Sequence, residues 1–130
     1  MQTDDQGYCD KSCRKIRKDY RSFDKDMDTA LKLLGKKFCP ASRTEPVRPG
    51  RLLSRITAMD GYEVWKFNVA VRGQKLRPGQ WPRLWFGVVY ESELIVPLVL
   101  ARHKDYGEND SVQENEALSL MQAYMLEEES

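Results

Sequence analysis

Three stretches, YEVWKFNVAV (62–71), RLWFGVVY (83–90) and LIVPLVLAR (94–102), decide the fold. In the first, Trp65, Phe67, Val69 and Val71 alternate with Val64, Lys66, Asn68 and Ala70, the period of two that places successive side chains on opposite faces of a strand. The second and third are apolar on both faces. They are separated only by Glu91-Ser92-Glu93, a common length for a hairpin connection. Pro97 lies inside the third run and has no N–H to give to a ladder, so the reading places it at an edge or a bulge. Strands this apolar need a cover, and the preceding helical region is expected to supply it on one face. Between the first two strands runs the basic loop RGQKLRPGQWP, with Arg72, Lys75 and Arg77 beside Pro78-Gly79.

Upstream the period changes. Cys9, Cys13, Ile16, Tyr20, Phe23, Met27, Ala30, Leu31 and Leu34 recur at threes and fours, one stripe of an amphipathic helix, or of two shorter helices broken near Asp19. Asp4 or Asp10 is placed to cap its start and Gly35 to end it. The basic residues between the stripe positions, Lys11 to Lys25, read either as a solvated face with local ion pairs or as a phosphate-tracking surface. Residues 35–50 hold three prolines and two glycines and read as a connector. In RLLSRIT (51–57), the anchors Leu52, Leu53 and Ile56 suggest one or two helical turns.

With 130 residues, 41% hydrophobic and 32% charged, the chain is expected to form a single domain: a helical region (1–35), a connector with a short helical turn (36–61), a sheet (62–106) and an acidic C-terminal helix (107–130). The class is α+β, an N-terminal helix or helical hairpin on a small, mainly antiparallel sheet. No apolar run reaches the roughly 20 residues of a membrane span, and MQTDDQGYCDKSC lacks the layout of a secretion signal, so a cytoplasmic protein is expected. Three cysteines, an odd number, imply reduced thiols.

The net charge of +1 conceals a partition. Residues 1–107 carry all 21 Lys and Arg against 13 acids, a balance of +8, whereas residues 108–130 carry seven acids and no base. A basic body attracts polyanions, and the acidic tail competes for the same surface. Lys66, Asn68 and Arg83 share one predicted sheet face, with Arg102-His103-Lys104-Asp105-Tyr106 at its rim, directly after the last strand. Such a patch suits a phosphodiester backbone, although Lys66 and Arg83 equally fit the solvent side of an alternating sheet. If residues 108–130 fold across that face, they mask it.

The element order, and in particular SFDKDMDTALKLL, GYEVWKFNV, PRLWFGVVY and LIVPLVLARHKDY, resembles the RelE/ParE toxin superfamily over roughly residues 20–110. The resemblance implies a helical hairpin on the sheet, a metal-independent, cofactor-free attack of a 2′-hydroxyl on the adjacent phosphate of ribosome-bound messenger RNA, and a cognate antitoxin as partner. It implies catalytic roles for Arg83, His103 and Tyr106 and RNA or phosphate contacts from Lys66, Asn68, Arg102 and Lys104. Asn68 stands where many members have arginine. The family normally has a strand ahead of the hairpin, and here none is evident unless Arg14–Tyr20 is one. Two other readings stay open: a noncatalytic module on the same fold that binds nucleic acid or an acidic partner, and a ParE-like inhibitor of gyrase. Cys9, Cys13, Cys39 and His103 are a four-ligand zinc set only on paper, because no tight CxxC pair is present and Cys9 and Cys13 fit the apolar stripe. Gly73 and Gly79 form no nucleotide-binding fingerprint.

Overall fold

The apolar runs assemble one five-stranded sheet in the computed structural model, which describes residues 1–72 and 75–129. In chain order the elements are β1 (Gln2–Thr3), α1 (Asp10–Asp19), α2 (Phe23–Phe38), β2 (Leu53–Met59), β3 (Tyr62–Asn68), β4 (Arg83–Val89), β5 (Leu94–Ala101), α3 (His103–Tyr106) and α4 (Ser111–Glu129). The strands lie in the order β1-β5-β4-β3-β2, with β1 parallel to β5 and the other pairs antiparallel. The fold is α+β, and among the described residues no helix is long and apolar enough to cross a membrane.

Alternation along β4 explains why the sheet is covered on both faces. Leu84, Phe86 and Val88 join Trp65 and Ile95 in a core roofed by α1 and α2 through Ile16, Phe23, Met27, Leu34 and Phe38. Trp85 and Val89 point the other way, joining Val64, Val96 and Leu98 beneath Ala117, Met121 and Tyr124 of α4. Phe38 anchors the first layer, edge-on to Trp65 and Phe86 with ring centres 5.0 and 5.6 Å away. On the second layer α4 lies so close to β4 that a Cβ on Gly87 would overlap the Met121 thioether. The N-terminal helices thus cover one face, as expected, and the acidic C-terminal helix covers the other. Pro97 opposes Phe86 while Val99 opposes Trp85, so Leu98 is an extra residue and the proline sits at a bulge.

Of the two readings of the stripe from Cys9 to Leu34 the structure takes the second, two shorter helices: it divides into α1 and α2 at Tyr20, whose backbone is extended (φ −132°, ψ 102°), and three further expectations are corrected. An unbroken helix of that length would run to about 39 Å at 1.5 Å per residue, well past strands of seven or eight residues. The segment RLLSRIT enters β2 at Leu53 and does not form the expected helical turns. β-branched Ile56 and Thr57 favour the strand. Asp60-Gly61 closes a two-residue loop onto β3, with Gly61 at φ +91°, and the ladder shifts register at Ile56. Gly35 does not end its helix. It lies inside α2 where a Cβ would come 2.5 Å from the Met1 carbonyl, and burial of Phe38 carries the helix on until Cys39 turns extended ahead of Pro40. A first strand does exist: β1, two residues long and too short to show a period, while residues 14–19 are helical.

The expected side-chain caps are also absent. Cys9 occupies the N-cap of α1 without a side-chain hydrogen bond, Asp10 is the first helical residue, and Asp4 instead accepts the Tyr124 hydroxyl at 2.5 Å.

Candidate anion-binding site

Pairing of β3 with β4 sets Asn68 opposite Arg83 and Lys66 opposite Trp85, so all four side chains project from the α4 face of the sheet. Three of them are polar, and each finds a partner. Arg83 Nη1 and Lys66 Nζ both meet Asp110 Oδ2, Lys66 at 3.2 Å, and Glu114 Oε1 lies 3.8 Å from the same ammonium. Arg83 Nε donates to Asn68 Oδ1 at 3.3 Å, and Asn68 Nδ2 donates to the Pro78 carbonyl at 3.0 Å, which fixes the amide and through it the guanidinium. The Lys66, Arg83 and Asp110 side chains are only 19–21% exposed, so this cluster is a largely buried ion-pair network and not the open basic face that alternation suggests. Burial pushes the Asp110 carboxyl upward, but hydrogen bonds from Arg83 and Lys66 outweigh it and hold the group below the ordinary carboxylate range.

Tyr106 flanks this cluster. The Arg83 guanidinium lies over its ring, 4.5 Å from the centre, and Trp85 meets it edge-on. Its hydroxyl turns away to the Trp81 carbonyl at 3.5 Å, and burial raises its pKa, so the ring rather than the phenol is what meets Arg83.

The rim residues separate from this cluster. Arg102 gives Nε and Nη2 to the two Asp105 oxygens, at 3.0 and 3.2 Å, and Nη1 to Asp19 Oδ2 at 3.0 Å. The hydrogen bonds that Arg102 donates to Asp105 and Asp19 raise its pKa, and the bond from Arg102 in turn lowers that of Asp105. Lys104 is largely exposed, 3.7 Å from Asp19. Together with His103 these residues border a cleft of about 300 Å³ between the end of α1 and the β3–β4 loop. His103 links the two regions: its ring meets the edge of Tyr106 at 5.3 Å, on the ring whose face carries Arg83.

The seven residues singled out from sequence thus fall into two groups bridged by Tyr106. Lys66, Asn68 and Arg83 converge on one point, whereas Arg102, His103 and Lys104 face the neighbouring cleft. Sequence reasoning did not single out the acids that organise both groups: Asp110 and Glu114 on one side, Asp19 and Asp105 on the other. For the first pair the signal was the uniformly acidic segment after residue 107. No sequence signal links Asp19 to a partner 83 residues away.

Cys9 is buried in the α1 layer with Cys13 packed beside it, and burial raises both thiols, Cys13 to about 11. Among the described residues no group of three or more His, Cys, Asp or Glu is arranged to hold a metal ion. Comparison with protein-family models, with curated proteins and with solved structures finds no match to this chain.

Proposed function

We propose that this chain is a RelE-like toxin of a toxin–antitoxin pair, a metal-independent cytoplasmic endoribonuclease that acts on messenger RNA, ribosome-bound in the family it resembles, and is held in check by an antitoxin. The convergence of Lys66 Nζ and Arg83 Nη1 on a single carboxylate oxygen, Asp110 Oδ2, carries the reading. Two cationic donors aimed at one oxygen, on a sheet face backed by an aromatic ring, form a geometry that a phosphate oxygen fills as well as a carboxylate does. The strand ahead of a helical hairpin, β1, adds to the likeness in element order.

In the reaction the 2′-hydroxyl gives up its proton to a base as its oxygen bonds to the adjacent phosphorus, the bond from phosphorus to the 5′-oxygen breaks, and the leaving oxygen takes up a proton. Lys66 and Arg83 neutralise the charge that builds on the phosphoryl oxygens. His103, exposed beside the Tyr106 ring, is the group for proton transfer. Tyr106 holds Arg83, and Lys104 meets the flanking strand, while Arg102 orders the rim through its two carboxylate partners.

The test is incubation of the purified protein with single-stranded RNA. The expected products carry a 2′,3′-cyclic phosphate and a 5′-hydroxyl, and Arg83→Ala lowers the rate about 100-fold or more, the usual effect of removing a donor that stabilises transition-state charge. The second reading, a noncatalytic module that binds nucleic acid or an acidic partner, draws on the turned-away Tyr106 hydroxyl and the fully engaged Arg102. Binding without cleavage by the unaltered chain would establish it.

A further inference from the structure

The segment after α3 reaches the Lys66–Arg83 cation pair in a form that differs from the rest of α4. Beyond Glu114 the helix is bound to the sheet by burial of Ala117, Met121 and Tyr124. Before it, the chain leaves α3 through Gly107 at φ +56°, a conformation that favours glycine. Residues 107–109 are exposed, and so is the Val112 side chain, 73% accessible. The Asn109 side chain is used locally, accepting from the Ser111 amide at 3.0 Å and hydroxyl at 2.7 Å. What ties Asp110 and Glu114 to the sheet is their contact with Lys66 and Arg83. Beneath this turn the fit is incomplete: Gln113 Oε1 and Trp85 Nε1 are buried without a hydrogen-bond partner.

Asp110 and Glu114 stand one helical turn apart, about 6 Å along the axis. A single ammonium touches both, and a guanidinium takes the first. Two anions held at that interval by two cations reproduce what a pair of adjacent phosphates would offer. We infer that Asp110 and Glu114 are an internal stand-in for two adjacent phosphates, and that single-stranded RNA reaches Lys66 and Arg83 by displacing only the first turn of α4, leaving the Ala117–Tyr124 stretch seated. The inference rests on the reading of Lys66 and Arg83 as a phosphate site. It goes further in naming the ligand as a strand with neighbouring phosphates, and in making the occupant competitive.

The experiment measures binding of a fluorescent 2′-O-methyl uridine hexanucleotide, which lacks the attacking hydroxyl, at about 0.1 M salt. Asp110→Asn/Glu114→Gln is expected to bind at least tenfold more tightly than the unaltered chain. Glu116→Gln, a charge change on α4 outside the cluster, is expected to change affinity less than threefold. Adding Arg83→Ala to the double variant should abolish the gain, and inorganic phosphate should compete only weakly, because it fills one subsite. Equal affinity of the double variant and the unaltered chain, a gain matched by Glu116→Gln, a gain that survives Arg83→Ala, or absence of binding in every variant would each overturn the inference. Hydrogen exchange of the unaltered chain gives an independent readout: saturating oligonucleotide should speed exchange at residues 110–114 and leave 117–124 protected, and unchanged exchange at 110–114 counts against displacement. Cleavable RNA separates the two proposals. Tighter binding by the double variant without cleavage by any form retains the stand-in and removes the nuclease, whereas cleavage with no effect of the double variant does the reverse.

Discussion

Because Met121 occupies the space a side chain at position 87 would need, the two positions should be strongly coupled. Met121 is fully buried between α4 and the sheet, so Met121→Ala removes a large side chain from a packed layer. Substitutions of that kind cost about 2–5 kcal/mol, a sizeable share of a total stability of about 5–15 kcal/mol. Gly87→Ala alone forces the thioether or the helix to shift, an overpacking cost of about 1–3 kcal/mol. Its backbone is not among the positive-φ glycines, so the loss of unfolded-state freedom returns about 0.4–1 kcal/mol. In the double variant the new methyl enters space that Met121 has left. The clash disappears and the cavity shrinks. The pair should therefore cost at least about 1 kcal/mol less than the sum of the singles, outside the roughly 0.5 kcal/mol scatter of independent sites. Urea unfolding of the four proteins measures this directly. Additivity within that scatter would mean that α4 does not lie on Gly87, and the two-sided core would have to be abandoned.

Removing residues 111–130 should unfold the domain rather than expose the cation pair, because Met121 and Tyr124 alone represent about 1.5–3 kcal/mol of burial each and Trp85 would be left facing water; circular dichroism would show lost cooperativity, and a sharp native-like transition would contradict it. The Asp110 carboxyl has its pKa lowered in the folded chain, so its contribution is present above the ordinary value of about 4 and is lost as pH falls through the lower folded one. Hydrogen exchange at residues 110–114 should accordingly stay slow at pH 5 and rise only in strong acid, and an opening centred above pH 5 would be the wrong sign. Gly61→Ala, at φ +91° in the β2–β3 turn, should cost about 1–2 kcal/mol in thermal unfolding. Asp26 is buried and accepts from the Ser22 hydroxyl at 2.8 Å and the Arg72 amide at 3.4 Å, so Asp26→Ala should destabilise by about 1–3 kcal/mol, and a neutral result would mean that neither donor depends on it.

How much of this was legible varies with the range of the interaction involved. The β3, β4 and β5 runs, the hairpin across 91–93 and a C-terminal helix starting near Ser111 all follow from local period and turn chemistry. β2 is hard to read locally because Leu52, Leu53 and Ile56 also fit a helical spacing, and its decisive clue is the Asp60-Gly61 pair that follows it, a hairpin signal set just outside the segment. β1 is two residues long and shows no period at all. In the site, alternation placed Lys66, Asn68 and Arg83 on one face correctly, since that depends only on the pleat. Burial of Tyr106 and the engagement of Arg102 by Asp19 depend on elements brought together from opposite ends of the chain, which spacing does not encode. The charge partition was a better guide: it directed attention to residues 108–130, and the structure puts Asp110 and Glu114 of that segment on the cations of the body.

The most direct test of the central claim is the mapping of RNA 5′ ends after induced expression of the unaltered chain and of Arg83→Ala. The account expects new 5′-hydroxyl ends in messenger RNA together with a growth defect, both lost in the variant although it folds. No new ends and no growth defect with the unaltered chain, or ends that persist in Arg83→Ala, would contradict it.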